Sequence, residues 1–297
     1  MSGAGTLWLV PVPVAPGDWR AVMPAGTVER ACALDYFVAE RAKTARAFLR
    51  QWPLVRPLQE IEIAELDPHA PTAGIDALLA PILAGRDGGL MSEAGCPGVA
   101  DPGALLVAAA HRAGVRVVPL VGPSAILLTL MASGLEGQRF AFHGYLPTDR
   151  GLRLAALADL ERRSARDRET QLWIETPYRA QAMLEAVLAG CRDRTRLALG
   201  CDLTAAAAAT ADRAATGAGG AGEWVGMRSV ADWRRAPVAI DGRLAVFALL
   251  AEPIESAEST GGARGGPAAP RPRGEGAGPK PFARPRGGSA KLQRRRG

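Results

Sequence analysis

No metal-ligand or disulfide pattern is written into this chain. Its four cysteines, Cys32, Cys96, Cys191 and Cys201, form no C-x-x-C pair, and its three histidines, His69, His111 and His143, are scattered. Metal sites need clustered ligands at defined spacings, so no metal is expected. The thiols read as buried or half-buried residues of a reducing compartment. No apolar run reaches the roughly 20 residues that a membrane-crossing helix needs. The longest, 125–135, reads as a buried helix. The N-terminal stretch MSGAGTLWLVPVPV is apolar but has no basic flank, so a secretory signal is not expected and the cytoplasm is.

What is present is enough for a sizeable core. The chain has 297 residues, 48% of them hydrophobic, against roughly 100–200 residues per domain, which makes two domains the natural reading. Basic residues outnumber acidic ones 36 to 30, for a net charge of +6. The excess is local. Residues 253–297 hold ten of the basic and three of the acidic residues, so that stretch carries +7 and the rest −1. An acidic partner is expected to meet the tail or a local patch. The tail is rich in Gly, Pro and Arg and is expected to be disordered, because it cannot bury enough apolar surface to offset its ordering entropy. A second biased segment, 205–222, is mostly Ala, Gly and Thr and is expected to be an irregular excursion. Its Gly217-x-Gly219-x-x-Gly222 matches a dinucleotide fingerprint in letters only, with no strand before it and no clear helix after.

Strand-like and helix-like patterns alternate. Residues 7–14, 35–40, 59–65, 90–93 and 115–120 read as strands. Helical spacing fills the gaps at 42–50, at Ile75, Leu78, Leu79, Ile82 and Leu83, and at 103–113, which Gly114 stops. This predicts an α/β fold with a parallel sheet of βαβ units. In the second half Ser124 reads as the N-cap of a helix reaching Gly134. Strands follow at 140–144, 171–175, 197–202 and 244–250, with helices at 152–163 and 178–189. The junction falls at Val121-Gly122-Pro123. That gives an N-terminal domain 1–121, a C-terminal domain 122–252 and the tail 253–297.

The chemistry concentrates at LMSEAGCPGVADP, residues 90–102. A buried strand runs into Gly95, Pro97, Gly98 and Pro102, and Asp101 stands where an N-cap would. Glycines let backbone approach a ligand and prolines fix the turn. Loops at the carboxyl ends of parallel strands are where open α/β sheets bind ligands. By itself this says only that some ligand meets backbone here.

The companions of this loop narrow the reading. They are Leu9-Val10-Pro11-Val12-Pro13 with Gly17-Asp18, Glu40 with Thr44 and Arg46, and SEAGCPGVADPG at 92–103. Then come Val118-Pro119-Leu120-Val121-Gly122-Pro123-Ser124-Ala125, Phe142-His143-Gly144-Tyr145-Leu146-Pro147, Glu175-Thr176-Pro177-Tyr178-Arg179 and Asp202-Leu203-Thr204. In this order they resemble the tetrapyrrole methylase superfamily, and within it the ribosomal RNA small-subunit methyltransferase I branch. The resemblance covers roughly residues 6–250. It implies a two-domain tetrapyrrole-methylase-like fold, with an N-terminal parallel sheet flanked by helices and a C-terminal mixed sheet. It also implies S-adenosylmethionine bound between the domains, an RNA substrate and a homodimer. The matched cofactor positions are Pro13, Ala94, Gly95, Val99, Ala100, Ser124, Ala125, Ile174 and Leu203. This chain departs from the pattern at Glu93, where the family has Asp, at Ala205–Ala209, where it has acids, and at Asp241-Gly242-Arg243 before the last strand.

A sulfonium methyl donor needs alignment more than activation. A ribose hydroxyl needs a base or a nearby cation. Paired lysines are excluded, since Lys43 is the only lysine before residue 253. Glu93, Asp101, Glu175 and His143 remain as candidate bases. Glu175 with Arg179 is the favoured catalytic pair, at a strand end facing the expected cleft. The reading is a methyltransferase acting on the ribose of a cytidine in small-subunit ribosomal RNA. The alternatives are a tetrapyrrole or other small-molecule C-methyltransferase, whose pyrrole carbons are already nucleophilic, and a catalytically silent RNA-binding relative.

Overall fold

The computed structural model describes residues 3–67, 74–206 and 222–253. The expectations for His69, for most of the Ala/Gly segment and for the tail lie outside the described residues.

In the first half, β1 (Thr6–Val10), β2 (Tyr36–Ala39), β3 (Glu62–Glu65), β4 (Gly88–Met91) and β5 (Arg116–Pro119) form one sheet in the order β3-β2-β4-β1-β5. Every pairing in it is parallel. Parallel neighbours need crossovers, supplied by α1 (Ala25–Cys32), α2 (Ala42–Leu49), α3 (Ile75–Leu83) and α4 (Gly103–Arg112). All residues of β2 and β4 are buried because helices cover both faces. Ala31, Cys32, Ala45 and Leu49 pack on one face with Val10, Phe37 and Met91. Leu79, Ile82, Leu106 and Ala110 pack on the other with Leu7, Val38 and Leu90.

The second half contains α5 (Ala125–Ser133), β6 (Phe140–Tyr145), α6 (Arg150–Asp167), β7 (Thr170–Glu175), α7 (Ala180–Gly190), β8 (Arg196–Cys201), β9 (Trp224–Ser229), α8 (Val230–Arg235) and β10 (Ala245–Leu250). The sheet order is β6-β7-β10-β8-β9. β6 and β7 run parallel and the other pairs antiparallel, so the sheet is mixed, as expected. One face packs Leu172, Ala198, Val246 and Ala248 against Leu130 of α5. The other packs Trp173 and Phe247 against α6, α7 and α8, with the two rings stacked at 5.3 Å. Gly200 lets α5 seat closely, since a Cβ there would lie 2.1 Å from Thr129 Oγ1.

The structure adds α1, β9 and α8 to the expected elements. The face that α1 buries is Thr27, Val28, Ala31 and Cys32. The strand expected at 7–14 stops at Val10 because Pro11 and Pro13 cannot donate to a ladder; Val12 survives as a single bridge to Gly95. The helix expected to be buried at 125–135 is buried on one side only. Leu127 and Met131 are exposed on the other. Cys32, Cys191 and Cys201 are buried free thiols and Cys96 is half-buried. No described helix is long and apolar enough to cross a membrane.

Candidate active site

A cavity of about 310 Å³ opens where the carboxyl ends of β1, β2, β4 and β5 face one end of the second sheet. The parallel sheet contributes Val14 after β1, Glu40 after β2, 92–96 and 99–101 after β4, and Ser124 after β5. This is where parallel strand order places a crevice. The mixed sheet contributes Tyr145, Ile174, Glu175 and Gly200 from the ends of β6, β7 and β8, with Leu203 just beyond. Because β10 runs antiparallel to β7 and β8, its first residues, Ala245 and Val246, reach the same end.

The loop after β4 is held by its own polar groups. The Ser92 hydroxyl donates to the carbonyls of Ala94 (3.2 Å) and Gly95 (3.1 Å). Gly95 exchanges two backbone hydrogen bonds with Val12, its N–H to Val12 O at 3.1 Å and Val12 N–H to Gly95 O at 3.0 Å. Asp101 Oδ1 accepts from Gly98 N (2.9 Å) and Gly103 N (2.8 Å). The N-cap expected at Asp101 is instead Pro102, yet Asp101 still satisfies the first helical N–H from one residue earlier. The amides of Gly95 and Gly98 therefore shape the loop and are not open donors for a ligand. Gly95 and Gly98 have φ of +69° and +81°, and Ala100 takes φ +60° without being glycine. Asp202 and Thr204, beside the lining residue Leu203, also have positive φ. Strain of this kind collects at ligand sites.

Carboxylates dominate the walls. Glu175 is 3% exposed; its carboxylate accepts from Thr176 N at 2.8 Å. Glu175 Oε2 lies 2.8 Å from Arg179 Nη2 in an ion pair whose angle makes no hydrogen bond. Arg179 Nη2 donates instead to Leu146 O at 3.0 Å. Burial pushes Glu40 above the usual carboxylate range, and the charges of Asp101 and Glu93 add to it against Arg41. Burial also raises Asp101, opposed by the amides of Gly98 and Gly103. Tyr145 is raised by burial and by Glu175 and Glu40, so its hydroxyl is a donor at neutral pH. The bulge between Phe142 and Tyr145, with Gly144 at φ +62°, turns this ring toward the cavity.

Of the expected cofactor positions, Ala94, Gly95, Val99, Ala100, Ser124, Ala125, Ile174 and Leu203 line the cavity, and Pro13 sits beside the lining residue Val14. The N-cap role expected of Ser124 is present, its Oγ accepting from Leu127 N at 3.5 Å. Of the candidate bases, Glu175 and Asp101 line the walls. Glu93 lines the rim, where Thr44 Oγ1 donates to it at 3.1 Å and Arg41 lies 3.7 Å away. His143 is not a lining residue; its Nε2 lies 2.7 Å from Gln171 Oε1. Sequence reasoning missed Tyr145, Gly200 and Val246 as wall residues. Only Tyr145 carried a signal, through the Gly144 that precedes it.

No family model matches the chain. Relatives named ribosomal RNA small subunit methyltransferase I are found in Xylella fastidiosa, 35% identical over 182 residues, and in Synechocystis, 34% identical over 181 residues. The alignments cover 60% and 61% of this chain, and the chain spans only 61% and 60% of those proteins. Among solved structures, the methyltransferase CobJ superposes on 82% of this chain and 94% of its own, with a TM-score of 0.51 and 17% identity. The chain thus shares the fold of the methyltransferase CobJ and is related in sequence to proteins named ribosomal RNA small subunit methyltransferase I.

Proposed function

We propose that this protein is an S-adenosylmethionine-dependent methyltransferase acting on ribosomal RNA, at the ribose 2′-hydroxyl of a cytidine in the small subunit. The observation that carries the reading is the cavity itself. It lies at the carboxyl ends of the parallel strands and gathers eight of the nine matched cofactor positions. Its about 310 Å³ is at the small end for ligand sites of roughly 300–1,000 Å³. Its chemistry suits the cofactor. Val14, Val99, Ile174, Leu203 and Val246 offer apolar surface for an adenine, and Glu40, Glu93, Asp101 and Glu175 offer negative charge to an ammonium and a sulfonium. Residues 1–121 and 122–252 are read as the two domains that enclose it.

When bound, S-adenosylmethionine supplies an electrophilic methyl group on a good leaving group. The protein's task is to align the acceptor and take its proton. A ribose hydroxyl ionises several pH units above neutrality, each worth about 1.4 kcal/mol. Glu175 is the base in this reading. One oxygen is fixed by Thr176 N and the other has no hydrogen-bond donor. Arg179 holds that carboxylate in place and balances its charge. Tyr145 donates a hydrogen bond that orients the acceptor.

The related names support an RNA partner, and a cytoplasmic location follows from it. The exposed apolar side of α5 supports a homodimer. The deciding test supplies labelled methyl donor and offers two acceptors, 30S subunits from cells lacking this gene and a porphyrinoid. Label is expected on a ribose of the small-subunit RNA. Label on the porphyrinoid would replace this reading with C-methylation. No heat of S-adenosylmethionine binding would leave only an RNA-binding role.

A further inference from the structure

Charge is sorted across the mouth of this cavity. Inside, the walls are acidic. Just outside, α2 begins two residues after the lining Glu40. Its buried side is Ala42, Ala45 and Leu49. Its exposed side is Lys43, Arg46 and Arg50, at i, i+3 and i+7. These three lie along about 10 Å of helix at 1.5 Å per residue. The N-terminal end is fixed to the rim, because Thr44 and Arg41 both reach Glu93.

None of the three side chains makes an ion pair or a hydrogen bond among the described residues. Several exposed arginines elsewhere do, although Arg112 and Arg116 likewise make no side-chain ion pair among the described residues. Arg162 pairs with Asp159, Arg163 with Glu169, Arg166 with Asp167 and Arg235 with Asp232. Helix physics opposes the α2 arrangement. Like charges at i, i+3 and i, i+4 repel. A cation in the first turn, such as Lys43, also faces the positive end of the helix dipole, whereas Arg46 in the last turn and Arg50 at the C-cap meet its favourable end. No partner within the described residues offsets these costs.

Resting on the reading of an RNA substrate, we propose that Lys43, Arg46 and Arg50 are the phosphate-docking lip that brings the RNA strand to the cavity. An RNA backbone would otherwise meet four carboxylates and a body with a net charge of −1. The lip reads no bases. Its side chains are cations without an exposed aromatic among them, so it fixes register along the strand and leaves sequence choice elsewhere.

The test uses the full chain, a fluorescent single-stranded RNA oligonucleotide and a titration of potassium chloride. The triple variant K43Q/R46Q/R50Q is compared with wild type and with the control R112Q/R116Q, two exposed arginines away from the cavity. Each phosphate contact on a single strand contributes about 0.7 to the slope of log K against log salt, so losing three flattens it by about 2. The triple variant is expected to show that flattening and to bind S-adenosylmethionine with unchanged heat. An unchanged slope, or equal flattening in the control, overturns the lip. Lost methyl transfer on intact 30S subunits with an unchanged naked-RNA slope assigns the stripe to a ribosomal protein and overturns it too. If wild type binds S-adenosylmethionine but no RNA, the substrate reading itself fails.

Discussion

At the scale of single residues, the Glu175–Arg179 pair decides whether the site is a catalyst. Glu175 is the most buried of the wall carboxylates, and Arg179 serves both it and the carbonyl of Leu146. Arg179→Ala therefore does two things. It removes a charge from the site and leaves a buried carboxylate unpaired. Breaking a buried pair from one side costs about 3–5 kcal/mol, and the low end applies because Arg179 is 28% exposed. Loss of activity in that variant alone would not separate catalysis from stability. Glu175→Gln does separate them. It keeps the shape and can still accept from Thr176 N, but it cannot take a proton. We expect Glu175→Gln, at saturating methyl donor, to lower methyl transfer by about 10²–10⁴-fold, with a smaller loss of melting temperature than Arg179→Ala. Near-normal turnover by Glu175→Gln would remove this residue as the base. Arg179→Ala should lose transfer and melt earlier, while circular dichroism at low temperature stays native.

At the scale of elements, the segment after β8 ties the two sheets together. Thr204 Oγ1 accepts from Val14 N at 2.9 Å and Ala15 N at 3.1 Å, across 190 residues of sequence. It does so at φ +72°, an unusual conformation for a β-branched residue. Thr204→Val keeps shape and branching but strands two buried amides at about 1–3 kcal/mol each. We expect urea denaturation to show a loss of about 2–4 kcal/mol. Weaker S-adenosylmethionine binding should accompany it, because Val14 lines the cavity. An equal denaturation midpoint for variant and wild type would show that the clasp holds nothing. This tie explains what could and could not be read from the chain. Asp202-Leu203-Thr204 is visible as a motif, but nothing local says that its hydroxyl reaches back to residue 14. The strands were legible because β2, β4 and β10 are buried throughout and read as apolar runs. β9 was not, being an edge strand whose exposed residues obey no clean alternation. The loop after β4 was legible from its glycines and prolines. The use of its amides was not, because pairing of Gly95 with Val12 depends on β1 lying beside β4.

At the scale of the whole molecule, α5 sets the remaining question. It has apolar residues all round, a pattern that ordinarily means burial on every side. The fold buries only the side bearing Thr129, Leu130 and Ser133. Leu127 is 49% exposed, Met131 one turn later is 78% exposed, and Val121 just before the helix is 73% exposed. Apolar residues clustered in this way mark an interaction surface. A second copy of this chain is the occupant that the homodimer reading requires. The helix also carries Ser124, Ala125 and Ile126 of the cavity wall, so its packing state bears on the site. Sedimentation velocity should give wild type a mass about twice the 31.0 kDa of one chain. Leu127→Glu with Met131→Glu places two charges on the exposed side and leaves the buried side intact. It should give single chains that remain folded. Wild type sedimenting as one chain at micromolar concentration would refute the dimer. A double variant that still sediments as a dimer would move the interface away from α5. Should the variant become monomeric and lose S-adenosylmethionine binding while keeping its melting temperature, α5 needs the second copy to hold the Ser124–Ile126 wall in place.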